Sequence, residues 1–367
     1  MIAATWATQT EAARAEQMDA ARAKQMDAAL AAQIDAAPSL AELRPAARGI
    51  DTLLVAWHDA GAPIERIAAA VSRLNAQLFA RAWSLLAPPE WVANTCLVVM
   101  GSEGRGEQLL KTDQDNALLL RDGFEPAGTD TLDVIAERFT AALIDFGYPR
   151  CPGNIMLSNP LWRQSVAGFK ASLRGWMFGA DADGAMDLAI FLDAAPVAGD
   201  AALLQEALHF IDAYLVDNDA FFARFAAAAD QFDAGRGWWA RLAAVGTADN
   251  PPLDLKKLGT FPIVHGVRAL ALQYHVHERA TSARLRVLAE RGHLDAPLAS
   301  DLTRALHLLM ALKLDHQLRR RAAFELIDNT VRPLELAATE RDALKEALAV
   351  VRHFRQHLRL HYRLDAL

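Results

Sequence analysis

The period of the apolar positions changes along the chain, and each change predicts a different kind of element. Between residues 39 and 89, Ile50, Leu53, Leu54 and Trp57 fall at helical spacing, and so do Ile67, Val71, Leu74, Leu78 and Trp83. Gly61-Ala62-Pro63 separates these two amphipathic helices, and Pro88-Pro89 closes the segment at a boundary. Thr95 to Met100 is then a short β-type run, broken by Gly101-Ser102-Glu103-Gly104-Arg105-Gly106. Asn116-Ala117-Leu118-Leu119-Leu120 is apolar again, so a strand, a turn and a second strand follow in quick succession. Leu132, Ile135, Phe139 and Leu143 predict a helix over residues 131–146. A loop with Pro149, Pro152, Gly153 and Pro160 comes next. The run from Ala185 to Val197, centred on Leu188-Ala189-Ile190-Phe191-Leu192, predicts a third strand. Beyond Gly199 the pattern is helical to the end, with interruptions near Gly235-Gly237, Asn250-Pro251-Pro252 and Gly292.

The first forty residues follow another rule. Gln17-Met18-Asp19-Ala20-Ala21 recurs as Gln25-Met26-Asp27-Ala28-Ala29 and as Gln33-Ile34-Asp35-Ala36-Ala37. An eight-residue period advances about 80° around a helix, so the Met and Ile positions spiral and do not form one stripe. Alanine favours helix by propensity alone. The expectation is a helix-prone extension of weak packing value, with assembly into a homo-oligomer as its possible use. The chain therefore reads as α+β in four parts: an extension at 1–38, a helical region at 39–90, a mixed-sheet domain at 91–200 and a helical bundle at 201–367.

Composition narrows the classes. The 367 residues carry 38 Lys and Arg against 45 Asp and Glu, a net charge of −7, and 53% are hydrophobic. That apolar content excludes disorder throughout. Two cysteines, Cys96 and Cys151, cannot build a disulfide framework or a Cys-rich zinc site. No apolar run approaches the roughly 18–20 residues of a membrane span, and no basic region followed by an apolar one marks a secretory signal. A soluble cytoplasmic protein is expected. Its charge is uneven: residues 256–367 hold 19 Lys and Arg against 12 Asp and Glu, and nine of the eleven histidines. The overall negative charge argues against indiscriminate nucleic-acid binding, and the basic part suits an anionic ligand.

The chemistry gathers around Gly101-Ser102 and Asp113-Gln114-Asp115. On a strand, residues two apart share a face, so Asp113 and Asp115 present carboxylates from Cα atoms about 7 Å apart. Such a pair gains most from a divalent cation, and hard oxygen donors select Mg²⁺ or Mn²⁺ over zinc. A Gly-Ser at a strand end lets backbone N–H groups approach a phosphate closely. Together they are the equipment of metal-assisted phosphoryl or nucleotidyl transfer. Arg105 and Lys111 flank the turn, where either could contact a triphosphate or simply be solvated.

The runs Gly101-Ser102-Glu103-Gly104-Arg105-Gly106-Glu107-Gln108 and Lys111-Thr112-Asp113-Gln114-Asp115-Asn116-Ala117 resemble the signature of nucleotidyltransferases related to the N-terminal part of PII-uridylyltransferases. That group belongs to the polymerase-beta nucleotidyltransferase superfamily and is often fused to CBS and cyclic-nucleotide-binding domains. The N-terminal 90 residues are too short and too helical for either module. The resemblance runs on through Cys151-Pro152-Gly153-Asn154-Ile155-Met156, Asn159-Pro160-Leu161-Trp162-Arg163 and Ile190-Phe191-Leu192-Asp193. It reaches Leu255-Lys256-Lys257, Pro262-Ile263-Val264, Ala280-Thr281 and Asp328-Asn329, covering roughly residues 40–360.

The resemblance implies a small polymerase-beta-like domain with two metal ions on Asp113 and Asp115, and nucleotide phosphates gripped by Gly101 and Ser102. It implies a third carboxylate on a neighbouring strand, best met by Asp193, with Asp187 as the alternative of the same strand parity. It also implies that Lys256 and Lys257 reach the nucleotide from a substrate-binding helical domain. A hydroxyl of a protein or small molecule would attack the α-phosphorus of a nucleoside triphosphate, releasing pyrophosphate. One position departs: Ala195 stands where the family usually has an arginine, which favours the alternative of a regulatory module that binds nucleotide and transfers weakly.

Other signals are weaker. His353, His357 and His361 share a helix face, but the interleaved Arg352, Arg355, Arg359 and Arg363 oppose a cation. The glycines at 101, 104 and 106 do not form the dinucleotide fingerprint, Met100 breaks the nucleophile-elbow frame around Ser102, and no P-loop consensus is present.

Overall fold

Helix starts coincide with side chains that can cap them. Ser39 accepts the Glu42 amide at 3.4 Å and opens α2 (Leu40–Asp59), and Thr131 does the same for Val134 at the start of α6 (Leu132–Asp145). The computed structural model describes residues 21–127, 130–179, 184–215, 218–230 and 252–366. Two compact units divide the chain, Met1–Ile211 and Asp212–Leu367.

In the first unit, helix α1 over the described residues 21–36 precedes α2, α3 (Ile64–Leu86) and the short α4 (Pro89–Asn94). The expectation of weak packing for α1 is overturned. Leu30 and Ile34 are buried, Asp27 pairs with Arg73, Asp35 accepts from Gln77, and Arg81 reaches the carbonyl of Ala37. Ala23, Leu30 and Ile34 are buried at spacings of seven and four residues, with Leu30 against Gly49 of α2, and that is enough to seat the helix. Residues 1–20, with the first copy of the repeat, lie outside the described residues.

The sheet has the order β3-β2-β1-β4, from β1 (Thr95–Val99), β2 (Asn116–Leu120), β3 (Arg163–Ser165) and β4 (Ala195–Gly199). β1 runs antiparallel to β2, with Leu97 opposite Leu118, and antiparallel to β4, with a register shift between Leu97 and Val98. β2 and β3 are parallel. Every residue of β1 and β2 is buried, as continuous apolar runs at the sheet centre require. Trp83 of α3 meets Phe139 of α6 edge-on at 5.7 Å, and Phe79 meets Tyr148 at 4.9 Å.

Two expectations change here. Leu188-Ala189-Ile190-Phe191 is not a strand: it belongs to α8 (Gly184–Phe191), which follows α7 (Val166–Phe178), and the strand comes afterwards as β4. Asp187 is consequently a helix residue, and Asp193 lies in the turn between α8 and β4. Asp113 and Asp115 lie just before β2 and not within it. The extended path nevertheless begins early, since the Met100 amide donates to the Asp115 carbonyl at 2.9 Å and Gln114 is buried between two half-buried aspartates.

The unit Asp212–Leu367 follows α9 (Ala201–Tyr214), whose last turn it includes. It contains α10 (Asp219–Ala227), a two-stranded ribbon of β5 (Leu253–Asp254) and β6 (Thr330–Val331), and a π-helical turn (Lys256–Thr260). The turn leads into α11 (Phe261–Gln273), where Pro262 to Leu272 are all buried. α12 (Thr281–Glu290), α13 (Ala296–Ala322) and α14 (Ala338–Tyr362) complete the helical core. The expected interruptions near residues 235–237 and 250–251 lie outside the described residues. Among the described residues no helix is long and apolar enough to cross a membrane.

Candidate active site

The Gly-Ser turn forms because β1 ends against the segment that carries the aspartates. Gly101 has φ +56°, and a Cβ there would stand 2.6 Å from Asp115 Oδ2. Only glycine tolerates both the left-handed backbone and that approach. Gly101 to Gly104 then make one helical turn, α5. A Cβ at Gly104 would overlap the Asp193 carbonyl oxygen, so the turn is also pressed against the entry to β4. Three stretches far apart in sequence thus meet within one turn of chain.

Polar contacts fix the turn further. Ser102 Oγ donates to Gln108 Oε1 at 3.0 Å, the Glu107 amide donates to the Ser102 carbonyl at 2.9 Å, and Gln108 Nε2 reaches the Asp113 carbonyl at 3.4 Å. Arg105 lies between two carboxylates, 2.6 Å from Glu107 Oε2 and 2.6 Å from Asp193 Oδ2. Its side chain is 11% exposed and that of Asp193 is wholly buried. Burial opposes the guanidinium charge, but Glu107 and Asp193 outweigh it and hold the pKa above its ordinary value. An arginine does brace Asp193, from a position 88 residues upstream and not from position 195.

Lys111 has a different environment from the one its place in the motif suggests. Its Nζ donates to the Ala47 carbonyl at 2.5 Å, to Asp51 Oδ2 at 3.0 Å and to the Phe146 carbonyl at 3.2 Å, and lies 5.1 Å from the centre of the Tyr148 ring. It ties the aspartate segment to α2. Lys256 and Lys257 belong to the second unit, in the π-helical turn, where Asp254 Oδ1 accepts the Lys257 amide at 3.0 Å.

Glu103, which no motif spacing marks, is buried beside both aspartates. Its Oε2 accepts from Asn75 Nδ2 at 3.2 Å, and Asn75 Oδ1 accepts from the Tyr148 hydroxyl at 2.5 Å. Its Oε1 is buried and makes no hydrogen bond within the described residues. Burial first, then Asp113 and Asp115, push the carboxyl from 4.5 up to about 8, against the Asn75 hydrogen bond. Cys151 is pushed up to about 11, by burial first and then by Asp115, to which its thiol hydrogen-bonds. Glu103 stands only two residues after Gly101, but a lone Glu in a polar turn reads as solvated.

Hard oxygen donors at the Gly101 turn suit Mg²⁺ or Mn²⁺, which are commonly held by one or two carboxylates together with substrate phosphates and water. Asp113 and Asp115 supply two. Among the described residues no three His, Cys, Asp or Glu side chains converge as an all-protein metal cage.

The family model described as "Putative nucleotidyltransferase DUF294" matches residues 48–183, and its companion, "Putative nucleotidyltransferase substrate binding domain", matches residues 219–362. The chain belongs to the DUF294 nucleotidyltransferase family. No curated protein matches it. The first DUF294 segment holds the Gly101-Ser102 turn and both aspartates but stops before Asp193 and β4. The second spans the β5–β6 ribbon and the helices around it.

Proposed function

We propose that this DUF294 protein transfers a nucleoside monophosphate from a nucleoside triphosphate to a hydroxyl of a protein or small-molecule acceptor, with Mg²⁺ or Mn²⁺ held by Asp113 and Asp115. The observation that carries this reading is Gly101, whose backbone is set against the Asp115 carboxylate so closely that no side chain fits. Phosphates bound to the backbone of Gly101 and Ser102 would lie beside the two metal-binding carboxylates. A divalent ion there would neutralise charge on the α-phosphate and favour deprotonation of the attacking hydroxyl. The chain's own part is to hold the phosphate chain so that the acceptor oxygen faces the phosphorus opposite the departing pyrophosphate. Arg105, fixed by Glu107 and Asp193, keeps the turn in place. The resemblance to PII-uridylyltransferases makes UTP the first nucleotide to try.

A second reading is nucleotide binding without transfer in a regulatory module. It is favoured by the commitment of Asp193, the third carboxylate of the expected site, to Arg105. One experiment separates the two. Each α-labelled nucleoside triphosphate is added with Mg²⁺ to lysate containing either wild type or Asp113→Asn/Asp115→Asn. Label transferred by wild type alone supports the enzyme; equal labelling in both overturns it. Tight nucleotide binding by wild type with no label transferred supports the regulatory module.

A further inference from the structure

The unit Asp212–Leu367 contains a cavity of about 320 Å³ at the C-terminal end of α13, walled by β6 and the 3₁₀ turn after it (Pro333–Glu335). Its volume is at the small end of the roughly 300–1,000 Å³ range of ligand pockets, the size for a small molecule and not for a macromolecular surface. Three arginines are among the residues that line it, Arg319, Arg320 and Arg332.

The wall is firmly built. β6 is paired to β5, and the Leu255 amide donates to the Asn329 carbonyl at 2.9 Å. Asp328 accepts from the Thr330 amide at 3.0 Å and contacts His316 Nε2 at 3.1 Å, and buried Gln317 reaches the Asp328 carbonyl at 3.4 Å. Arg320 Nε donates to the Leu326 carbonyl at 2.6 Å, which fixes the guanidinium at the cavity edge.

The two glutamates at the cavity are held less firmly than Asp328. Glu325 stands 3.6 Å from Arg320, and Glu335 is 3.8 Å from Arg332. These distances exceed hydrogen-bond range, and the Glu325 and Glu335 side chains are 57% and 59% exposed. Such pairs contribute little and exchange readily. Arg319 pairs with Asp315 on its own helix. A phosphate offers more charge and more acceptor oxygens than either glutamate, in the geometry that a guanidinium fork matches.

We propose that this cavity binds the phosphate of a small phosphorylated molecule through Arg319, Arg320 and Arg332. The cavity belongs to the unit Asp212–Leu367 and Asp113 and Asp115 to the unit Met1–Ile211, and its occupancy does not depend on transfer chemistry.

Calorimetric titration of the full chain with inorganic phosphate and with a nucleoside monophosphate tests it. Wild type should bind, and Arg320→Gln and Arg332→Gln should each weaken binding about tenfold, as loss of a charge-assisted hydrogen bond requires. Arg332→Gln changes a half-exposed side chain, so an unchanged melting temperature in that variant separates lost binding from lost folding. Asp113→Asn/Asp115→Asn should bind as wild type does, whether or not the protein proves to be a transferase. Equal affinity for the two probes assigns the site to free phosphate, and tighter binding of the monophosphate assigns it to an esterified one. No binding by wild type, binding indifferent to both arginine variants, or binding lost in the double aspartate variant overturns the proposal.

Discussion

Glu103 shows how a single buried side chain makes stability depend on pH. Its carboxyl titrates at about 8 in the fold and at its ordinary 4.5 in the unfolded chain. Below 4.5 both states hold the proton, and the stabilisation of the neutral acid is fully present. Between 4.5 and 8 only the folded state holds it, so stability falls as pH rises, and the loss is complete above the folded value. Glu103→Gln imitates the neutral acid and keeps an acceptor for Asn75. The unfolding free energy of the variant, measured by urea denaturation, should rise relative to wild type from pH 5 to 8 and level off beyond. A difference that does not change with pH would show that Glu103 does not titrate in this window. The same residue marks a limit of the sequence reading. Gly101, Ser102, Asp113 and Asp115 announced themselves by type and spacing, whereas Glu103 matters through burial, which depends on α3 and Tyr148 closing over it. Lys111 is the converse case: its position in the motif suggested phosphate, and the carbonyls of Ala47 and Phe146 claim it.

At the scale of elements, periodicity carried far where one face of an element is buried and failed where both are. α2, α3 and α6 show their helical stripes plainly, and β1 and β2 are short apolar runs bounded by turn residues. The apolar run of α8 has no stripe, because packing on several sides removes the polar face that would reveal its period. β4 is disguised by Pro196 and Gly199, which argue against a strand in the middle of a sheet. Its place at the edge of the order β3-β2-β1-β4 explains why they are tolerated. Helix α1 was undervalued for a third reason: alanine predicts helix but not what the helix rests on. Ile34 of this helix is fully buried. Ile34→Ala should cost about 2–5 kcal/mol in chemical denaturation, the range for removing a large aliphatic side chain from a packed interior. A change below about 0.5 kcal/mol, typical of surface substitutions, would return α1 to the status of a loose extension.

For the molecule as a whole, the uneven charge has a partial structural counterpart. The aspartates of the Gly101 turn lie in the acidic first unit, and the arginine-lined cavity lies in the basic second one. The uneven distribution was legible from the sequence; the cavity was not, because Arg319, Arg320 and Arg332 meet only when β6 folds back onto α13.

The bridge from Arg105 to Asp193 also bears on where this protein can be cut. The matched family segment ends at residue 183, yet β4 at residues 195–199 pairs with Cys96 to Val99 of β1 and Asp193 holds one side of Arg105. A fragment of residues 48–183 would leave β1 with a row of unsatisfied N–H and C=O groups along an apolar strand, the kind of edge that recruits other chains. It would also lose Ile34 and the helix above α3. Expressed alone, that fragment should aggregate, while residues 21–211 should remain dispersed in light scattering at the same concentration. The span that the family model matches and the unit that the sheet closes are thus of different length, and the difference is set by a strand that begins a dozen residues past the matched segment.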